Sequence, residues 1–277
     1  MILVTGATGN IGRTLVKGLL AVGAGPLRGL TRDAARAAFP QGVEAVEGDM
    51  TRPSSLGAAL QGARSLFLLS RMGPDAEILR SARRMGVEHV VLVSSITVQS
   101  HPHLGPAREN LAVERLVEDS GMAWTILRPT QFASNALWWA DAVRERRPVR
   151  IPYPDVGLPA IHPADIASVA RAALTEPGHE GLTYALTGPE RITPRRQLAA
   201  IARAVGRDIP LTEISRTEAH RDLAALLGDE AASAVLDITG GDINEELLTI
   251  HDTVPRLTRV AARTFGQWGA ENADAFR

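Results

Sequence analysis

Glycines 6, 9 and 12 are the residues of this chain whose type and spacing imply the most specific chemistry. In Gly6-Ala7-Thr8-Gly9-Asn10-Ile11-Gly12 they recur at every third position, directly after the apolar run Ile2-Leu3-Val4 and at the head of an amphipathic stretch. In such a loop the first glycine turns the chain sharply off a strand. The second has no Cβ, so loop N–H groups can approach a pyrophosphate. The third lets the following helix pack against the sheet. The helix N-terminus then presents unpaired N–H groups and a dipole that favours negative charge. A glycine pattern alone is a weak signal; between a strand and a helix at the start of a βαβ unit it is a strong one for a dinucleotide.

A second group of candidates follows the strands predicted after that loop. The second strand ends in Leu30-Thr31-Arg32-Asp33, where an NAD-specific site normally carries a carboxylate for the ribose. Arg32 offers instead a planar guanidinium suited to a 2′-phosphate. Asp33 reads as the N-cap of a helix Ala34–Phe39, although a carboxylate there could also serve the ribose of NAD. NADP(H) is therefore expected, with NAD(H) second. Leu69, Ser70 and Arg71 end the fourth strand and should line the cofactor groove. Ser95 and Thr97 offer hydrogen bonds at the end of the fifth. His101 and His103, in the loop Gln99–Gly105, are candidate proton carriers near neutral pH. No further histidine or acidic cluster accompanies them at ligand spacing, so no metal site is expected.

The elements that must position these residues alternate in type. Strands are predicted at Ile2–Thr5, Leu27–Thr31, Val43–Glu47, Ser65–Ser70, His89–Ser94, Thr125–Leu127 and Leu182–Leu186. Helices are predicted at Ile11–Val22, Ala76–Met85, Ala107–Asp119 (core-facing at Leu111, Leu116 and Val117), Pro163–Leu174 and Thr193–Val205. Strand–helix–strand repetition with near-continuous apolar strands implies an α/β, doubly wound parallel sheet. Prolines 148, 152 and 154 make Arg147–Gly157 a loop or short edge strands. Two or three helices between Glu218 and Leu248, and one from Thr264 to about Phe276, complete a smaller, interleaved C-terminal α+β lobe. The expected division is a dinucleotide-binding domain at 1–147, completed by parts of 159–187, and a lobe at 148–277.

Composition narrows the function. The 277 residues carry 30 basic and 31 acidic side chains and no cysteine, which removes thiolate chemistry and gives no basic footprint for nucleic acid. No apolar run reaches the roughly 18 residues of a membrane span. Met1 leads straight into the first strand, so no signal peptide and a cytoplasmic location are expected. A monomer or homodimer is expected.

Several segments extend the glycine loop into a family pattern: Val93-Ser94-Ser95, Ser120 to Phe132 (SGMAWTILRPTQF), Ile161-His162-Pro163-Ala164-Asp165-Ile166-Ala167, and the ending from Phe265-Gly266-Gln267-Trp268. With Thr5–Gly12, these resemble the NmrA-like group of atypical short-chain dehydrogenase/reductases across nearly the whole chain. The resemblance implies a Rossmann fold and a nicotinamide cofactor. It further implies that Asp49 and Met50 lie at the adenine edge, that Ser94 sits in the cofactor groove, and that Pro129, Thr130, Gln131 and Phe132 pass near the nicotinamide. Trp138 and Trp139, on the helix after them, offer an apolar wall for a flat substrate, although adjacent aromatics cannot share one face.

One departure is informative. Most short-chain reductases use a tyrosine with a lysine four residues later. Here the tyrosines are Tyr153 and Tyr184, the one lysine is Lys17, and the helix that should carry the pair reads Pro106-Ala107-Arg108-Glu109-Asn110-Leu111. Asn110 falls near the lost position and could orient substrate or ribose. A hydride acceptor activated by its own electronics, such as a quinone, enone or aromatic ketone, needs positioning more than a strong acid. The expectation is an NADPH-dependent reductase without the dyad; the alternative is a non-catalytic NADP(H)-binding redox sensor acting through a protein partner.

Overall fold

The computed structural model describes residues 1–277. Eleven strands follow in chain order: β1 (Ile2–Val4), β2 (Leu27–Thr31), β3 (Val43–Glu47), β4 (Ser65–Leu69), β5 (His89–Val93), β6 (Ala123–Pro129), β7 (Val149–Ile151), β8 (Leu158–Pro159), β9 (Leu182–Leu186), β10 (Arg191–Ile192) and β11 (Leu211–Glu213). The helices are α1 (Asn10–Ala21), α2 (Gly57–Leu60), α3 (Asp75–Arg84), α4 (Thr97–Ser100), α5 (Gly105–Glu118), α6 (Ala140–Arg144), α7 (Pro163–Thr175), α8 (Pro194–Val205), α9 (Arg216–Leu227), α10 (Asp229–Leu236), α11 (Glu245–Leu248), α12 (Thr253–Thr258) and α13 (Phe265–Glu271).

Seven strands form one sheet in the order β3-β2-β1-β4-β5-β6-β9, and every neighbouring pair is parallel. The two-residue alternation of a strand divides its side chains between two cores. Ile2, Val4, Val91 and Val93 meet Leu15 and Leu19 of α1 and Ile166 and Val169 of α7. Leu3, Val90 and Leu92 meet Ile78 and Ala82 of α3 and Val113 and Val117 of α5. Strand order reverses at β1, which pairs with β2 on one side and β4 on the other. Ligands of open α/β sheets bind in that crevice, beyond the carboxyl ends of the strands.

The lobe has two small pairings, β7 with β11 in parallel and β8 with β10 antiparallel. Its core holds Trp268 between Phe265 and Phe276, with ring centroids 5.3 and 6.2 Å away. A capping box of Thr264 and Gln267 starts α13. No helix is long and apolar enough to cross a membrane.

Two expectations are corrected. Residues 34–36 form a single turn rather than a helix. Asp33 Oδ1 accepts from Arg36 N at 3.1 Å, but Phe39 is drawn back onto the sheet, close enough that a Cβ at Gly29 would lie 2.6 Å from its Cζ. The buried stripe of α5 is Ala107, Asn110, Val113, Glu114 and Val117, while Leu116 is 40% exposed. The stripe keeps helical spacing, but two of its members are polar and masked it in the sequence.

His162 shows how the lobe is joined to the sheet. It is the N-cap of α7, its Nδ1 accepting from Ala164 N at 3.0 Å, and its Nε2 lies 3.2 Å from Glu271 of α13. Burial pulls its pKa below the ordinary imidazole value near 6.5 despite that carboxylate. The unfolded chain therefore takes up a proton before the folded one does. This contribution to stability is complete above about pH 6.5 and is lost as pH falls from there through the lower folded pKa. His89, also depressed by burial, acts in the same sense. His162→Asn keeps a capping acceptor and is expected to flatten the fall in Tm between about pH 7 and 5; an unchanged slope in thermal unfolding would refute the assignment.

Candidate active site

The glycine loop forms a cradle of backbone. Gly6 turns at φ +58°, and Gly9 N donates to Gly6 O at 2.9 Å. Gly9 is the N-cap of α1 and supplies no side-chain cap, so the first amides of the helix have no side-chain partner. Thr8, Gly9 and Asn10 are exposed, whereas Ile11 and Gly12 are buried. A Cβ on Gly12 would lie 2.2 Å from Gly6 O, and one on Gly6 would lie 2.7 Å from Leu69 Cδ1. These residues fit a diphosphate: the cradle is tight, polar through its main chain, and open on one side.

The ends of β4 and β5 build the neighbouring wall. Thr5 Oγ1 donates to Phe67 O at 2.9 Å and accepts from Leu69 N at 3.4 Å, fastening the β4 end to the loop. Ser70 Oγ donates to Asn110 Oδ1 at 2.7 Å, and Asn110 Nδ2 donates to Pro106 O at 3.0 Å. Arg71 adopts φ +63°, its N–H reaching Asp75 Oδ2 at 3.0 Å and its guanidinium pairing with Glu109 at 2.5 Å. Burial raises the Asp75 pKa. Leu69, Ser70, Arg71 and Asn110 thus come together around the start of α5. Ser94 N donates to Leu127 O at 2.8 Å, while its buried Oγ has no partner. An orphaned hydroxyl at a strand end is what a ligand-lined groove would leave.

Ser95 Oγ accepts from Thr97 N at 3.2 Å and Thr97 Oγ1 at 2.9 Å, so its own hydrogen is left to donate. The two histidines part company. His103 is exposed. His101 is fully buried, with Nδ1 at 2.9 Å from Ser100 Oγ and Nε2 at 2.8 Å from the carbonyl of Asp242. A carbonyl only accepts, so Nε2 carries a proton, and Nδ1 is paired with the Ser100 hydroxyl.

On the remaining sides the candidates are spread more widely. Arg32 is exposed and forms no ion pair. Asp49 accepts from Thr51 N at 2.9 Å and Thr51 Oγ1 at 2.7 Å; those bonds, with Arg52 nearby, hold its carboxyl below the usual range. It caps a turn while Met50 packs into the core. Pro129 O accepts from Ile96 N at 3.0 Å, and Thr130 N donates to Leu186 O at 2.9 Å. Thr130 Oγ1 donates to Pro159 O at 2.9 Å, and Phe132 bridges to Ile161. Trp138 and Trp139 lie on a 3-10 helix, Ala133–Trp139. Trp138 is 64% exposed, whereas Trp139 packs on the lobe core.

Two arrangements escaped sequence reasoning. Arg128 chelates the buried Glu114 through Nε at 3.0 Å and Nη2 at 2.6 Å and reaches Gln99 at 3.3 Å through Nη1. Arg216 spans Tyr153 Oη at 3.2 Å and Asp237 at 2.8 Å. The only signal for the first was an arginine in a strand that is otherwise apolar apart from Thr125.

The parallel sheet, its reversal at β1 and the glycine cradle define a Rossmann-type dinucleotide-binding protein. The chain belongs to the NAD(P)H-binding family, whose model matches residues 6–177, and the NmrA-like resemblance read from its motifs holds. It is 39% identical to the (4-alkanoyl-5-oxo-2,5-dihydrofuran-3-yl)methyl phosphate reductase of Streptomyces griseus, covering 100% of this chain and 99% of that one. It is 34% identical to the NAD(P)H azoreductase of Xenophilus azovorans over the same shares. The NADPH-dependent quinone oxidoreductase of Escherichia coli, solved with NADPH, superposes with a TM-score of 0.81 at 26% identity over 98% of this chain and 99% of that one. The protein is an NAD(P)H-dependent oxidoreductase, and its cofactor is NADP(H).

Proposed function

We propose that the protein reduces quinone-like or enone-like acceptors with NADPH and without a tyrosine–lysine pair. The single observation that carries this reading is the groove's polar inventory: Asn110, on the helix that would carry the dyad, is bonded to Ser70, Ser95 keeps a hydroxyl hydrogen free, and neither tyrosine is placed to replace the dyad. Tyr184 is buried with its hydroxyl 2.9 Å from His179 Nδ1, and Tyr153 belongs to the lobe beside Arg216. NADPH, when bound, supplies a hydride. The protein's own part is to hold the acceptor flat and keep a hydrogen-bond donor near the oxygen that gains charge. Ser95 Oγ is that donor, and the exposed His103 is the group able to pass a proton from solvent. The reductases named above act on a dihydrofuranone bearing an alkanoyl group, on azo compounds and on quinones. All three are unsaturated acceptors. This favours catalysis over the redox-sensor reading.

In this reading residues 1–147, with parts of 159–187, hold the cofactor, and the 148–277 lobe holds the small-molecule substrate. Gly6, Thr8–Gly12 and Ser94 line the diphosphate side. Asp49, Met50, Leu69, Ser70 and Arg71 line the adenine and ribose side, and Pro129, Thr130 and Phe132 the nicotinamide side. Trp138, the exposed member of its pair, is the candidate apolar wall. Incubation with NADPH and a panel of quinones and doubly activated alkenes, followed by loss of reduced-cofactor absorbance, tests the proposal. No turnover above background anywhere in the panel would refute it.

Arg32 sets the cofactor preference. A charge-assisted hydrogen bond is worth about 1.5–3 kcal/mol, so Arg32→Ala is expected to raise the KM for NADPH roughly tenfold to a hundredfold and leave that for NADH nearly unchanged. Equal losses for both cofactors would remove Arg32 from the 2′-phosphate.

A further inference from the structure

Three lobe residues, Asp242, Asn244 and Glu246, are each held by one of three consecutive residues of the sheet domain. His101 Nε2 donates to Asp242 O at 2.8 Å, Asn244 Nδ2 donates to Ser100 O at 2.7 Å, and Gln99 Nε2 donates to Glu246 at 2.8 Å. The pairing runs antiparallel, with the lobe advancing two residues for each one on the sheet side. Both ring nitrogens of His101 are consumed, and the ring is wholly buried.

The lobe side of this segment is also built to a fixed shape. Arg216 ties Asp237 to Tyr153. Gly240 lies so close on the Tyr153 ring that a Cβ there would stand 2.2 Å from Cγ. Arg191 Nε donates to Leu248 O at 2.6 Å. Ile238, Ile243, Leu247 and Leu248 then pack in one cluster with Ile96, the residue directly after Ser95. The segment 237–248 is therefore a wall beside the hydroxyl assigned to the substrate oxygen.

We propose that Gln99, Ser100 and His101 are positioning residues: they clasp the segment 242–246 against the end of β5 and so set the width of the substrate pocket. The proposal rests on the reductase reading for its kinetic consequence alone. His101 acts here as a hydrogen-bonding strut, and the clasp involves no proton transfer. A buried strut of this kind acts on substrate affinity, while the glycine cradle, on the other side of Ser95, holds the cofactor independently.

The test compares His101→Ala and Asn244→Ala with His101→Gln, whose amide can still donate to Asp242 O. Amide hydrogen exchange of residues 242–248 is measured on the full-length protein, together with separate KM values for a quinone and for NADPH. Losing a clasp bond is expected to speed exchange in that segment about tenfold. The quinone KM should rise by a similar factor with the NADPH KM unchanged, and His101→Gln should restore most of both. Unchanged protection in the two alanine variants would overturn the clasp. So would a fall in kcat with the quinone KM unchanged, which would mark His101 as a proton donor. Should the wild-type protein reduce no acceptor, the reductase reading fails, and the exchange measurement alone decides the clasp. Asn244→Ala keeps the test open if His101→Ala does not fold.

Discussion

Replacing Gly12 with alanine is expected to weaken NADPH binding by about a hundredfold or more. The added Cβ would stand 2.2 Å from Gly6 O, 2.7 Å from Gly6 C and 2.8 Å from Ala7 Cα. All three are backbone atoms, so no rotamer change relieves the overlap, and the loop must move by roughly an ångström in a close-packed setting. Overpacking of this kind costs about 1–3 kcal/mol of stability. Binding suffers more, because the loop amides lose their common aim. Two misdirected charge-assisted hydrogen bonds, at about 1.5 kcal/mol or more each, already amount to a factor of roughly a hundred. Gly9→Ala separates the two effects. Gly9 has φ −83° and ψ −179°, which any residue adopts, and its Cβ would meet only Gly6 O at 3.2 Å. That variant is expected to melt close to wild type and still bind NADPH more weakly, since it narrows the open face of the cradle. Titration calorimetry beside thermal unfolding reads both. A Gly12→Ala protein that binds NADPH as wild type does would remove the loop from the cofactor site.

The contrast between that loop and the clasp shows what a sequence exposes. The cradle is local: strand, three glycines and helix lie within residues 2–21, and each link has its own residue signature. The seven strands of the main sheet were legible for a similar reason. Two covered faces demand apolar runs in the central strands β1, β4 and β5, and the alternation of strands with helices leaves little choice of topology. The α5 stripe is hidden in the sequence because Asn110 and Glu114 occupy buried positions that hydrophobic periodicity assigns to apolar residues, while Leu111 and Leu116 imitate a stripe beside it. The burial of His101 is not legible beside it, because its partner is 141 positions away and nothing near Pro102 or His103 announces it. Ser94 and Ser95 are adjacent hydroxyls of the same type. Only the three-dimensional structure separates the orphaned one from the one that accepts from Thr97 and keeps its own hydrogen free.

The largest effect on stability is expected at Arg128. Glu114 is 1% exposed, and its carboxylate is held by both Nε and Nη2 of that guanidinium. Arg128→Met would leave the carboxylate in the space between α5 and β6 without its cation. Removing one partner of a buried pair costs about 3–5 kcal/mol, because the survivor keeps its desolvation penalty. For a chain of this size that corresponds to a fall in Tm of roughly 10 °C. Removing both charges is different in kind. Arg128→Met with Glu114→Leu takes away the penalty together with the pair, and hydrophobic replacements of buried pairs are often neutral or stabilising. The double variant should therefore recover most of the lost Tm. It should not recover the quinone KM, because Arg128 also donates to Gln99, whose other end holds Glu246. Thermal unfolding of the two single variants and the double variant, with steady-state kinetics on the double, gives the coupling. If the two single losses simply add in the double variant, Glu114 and Arg128 are not the coupled pair that braces the strand leading to Pro129 and Thr130.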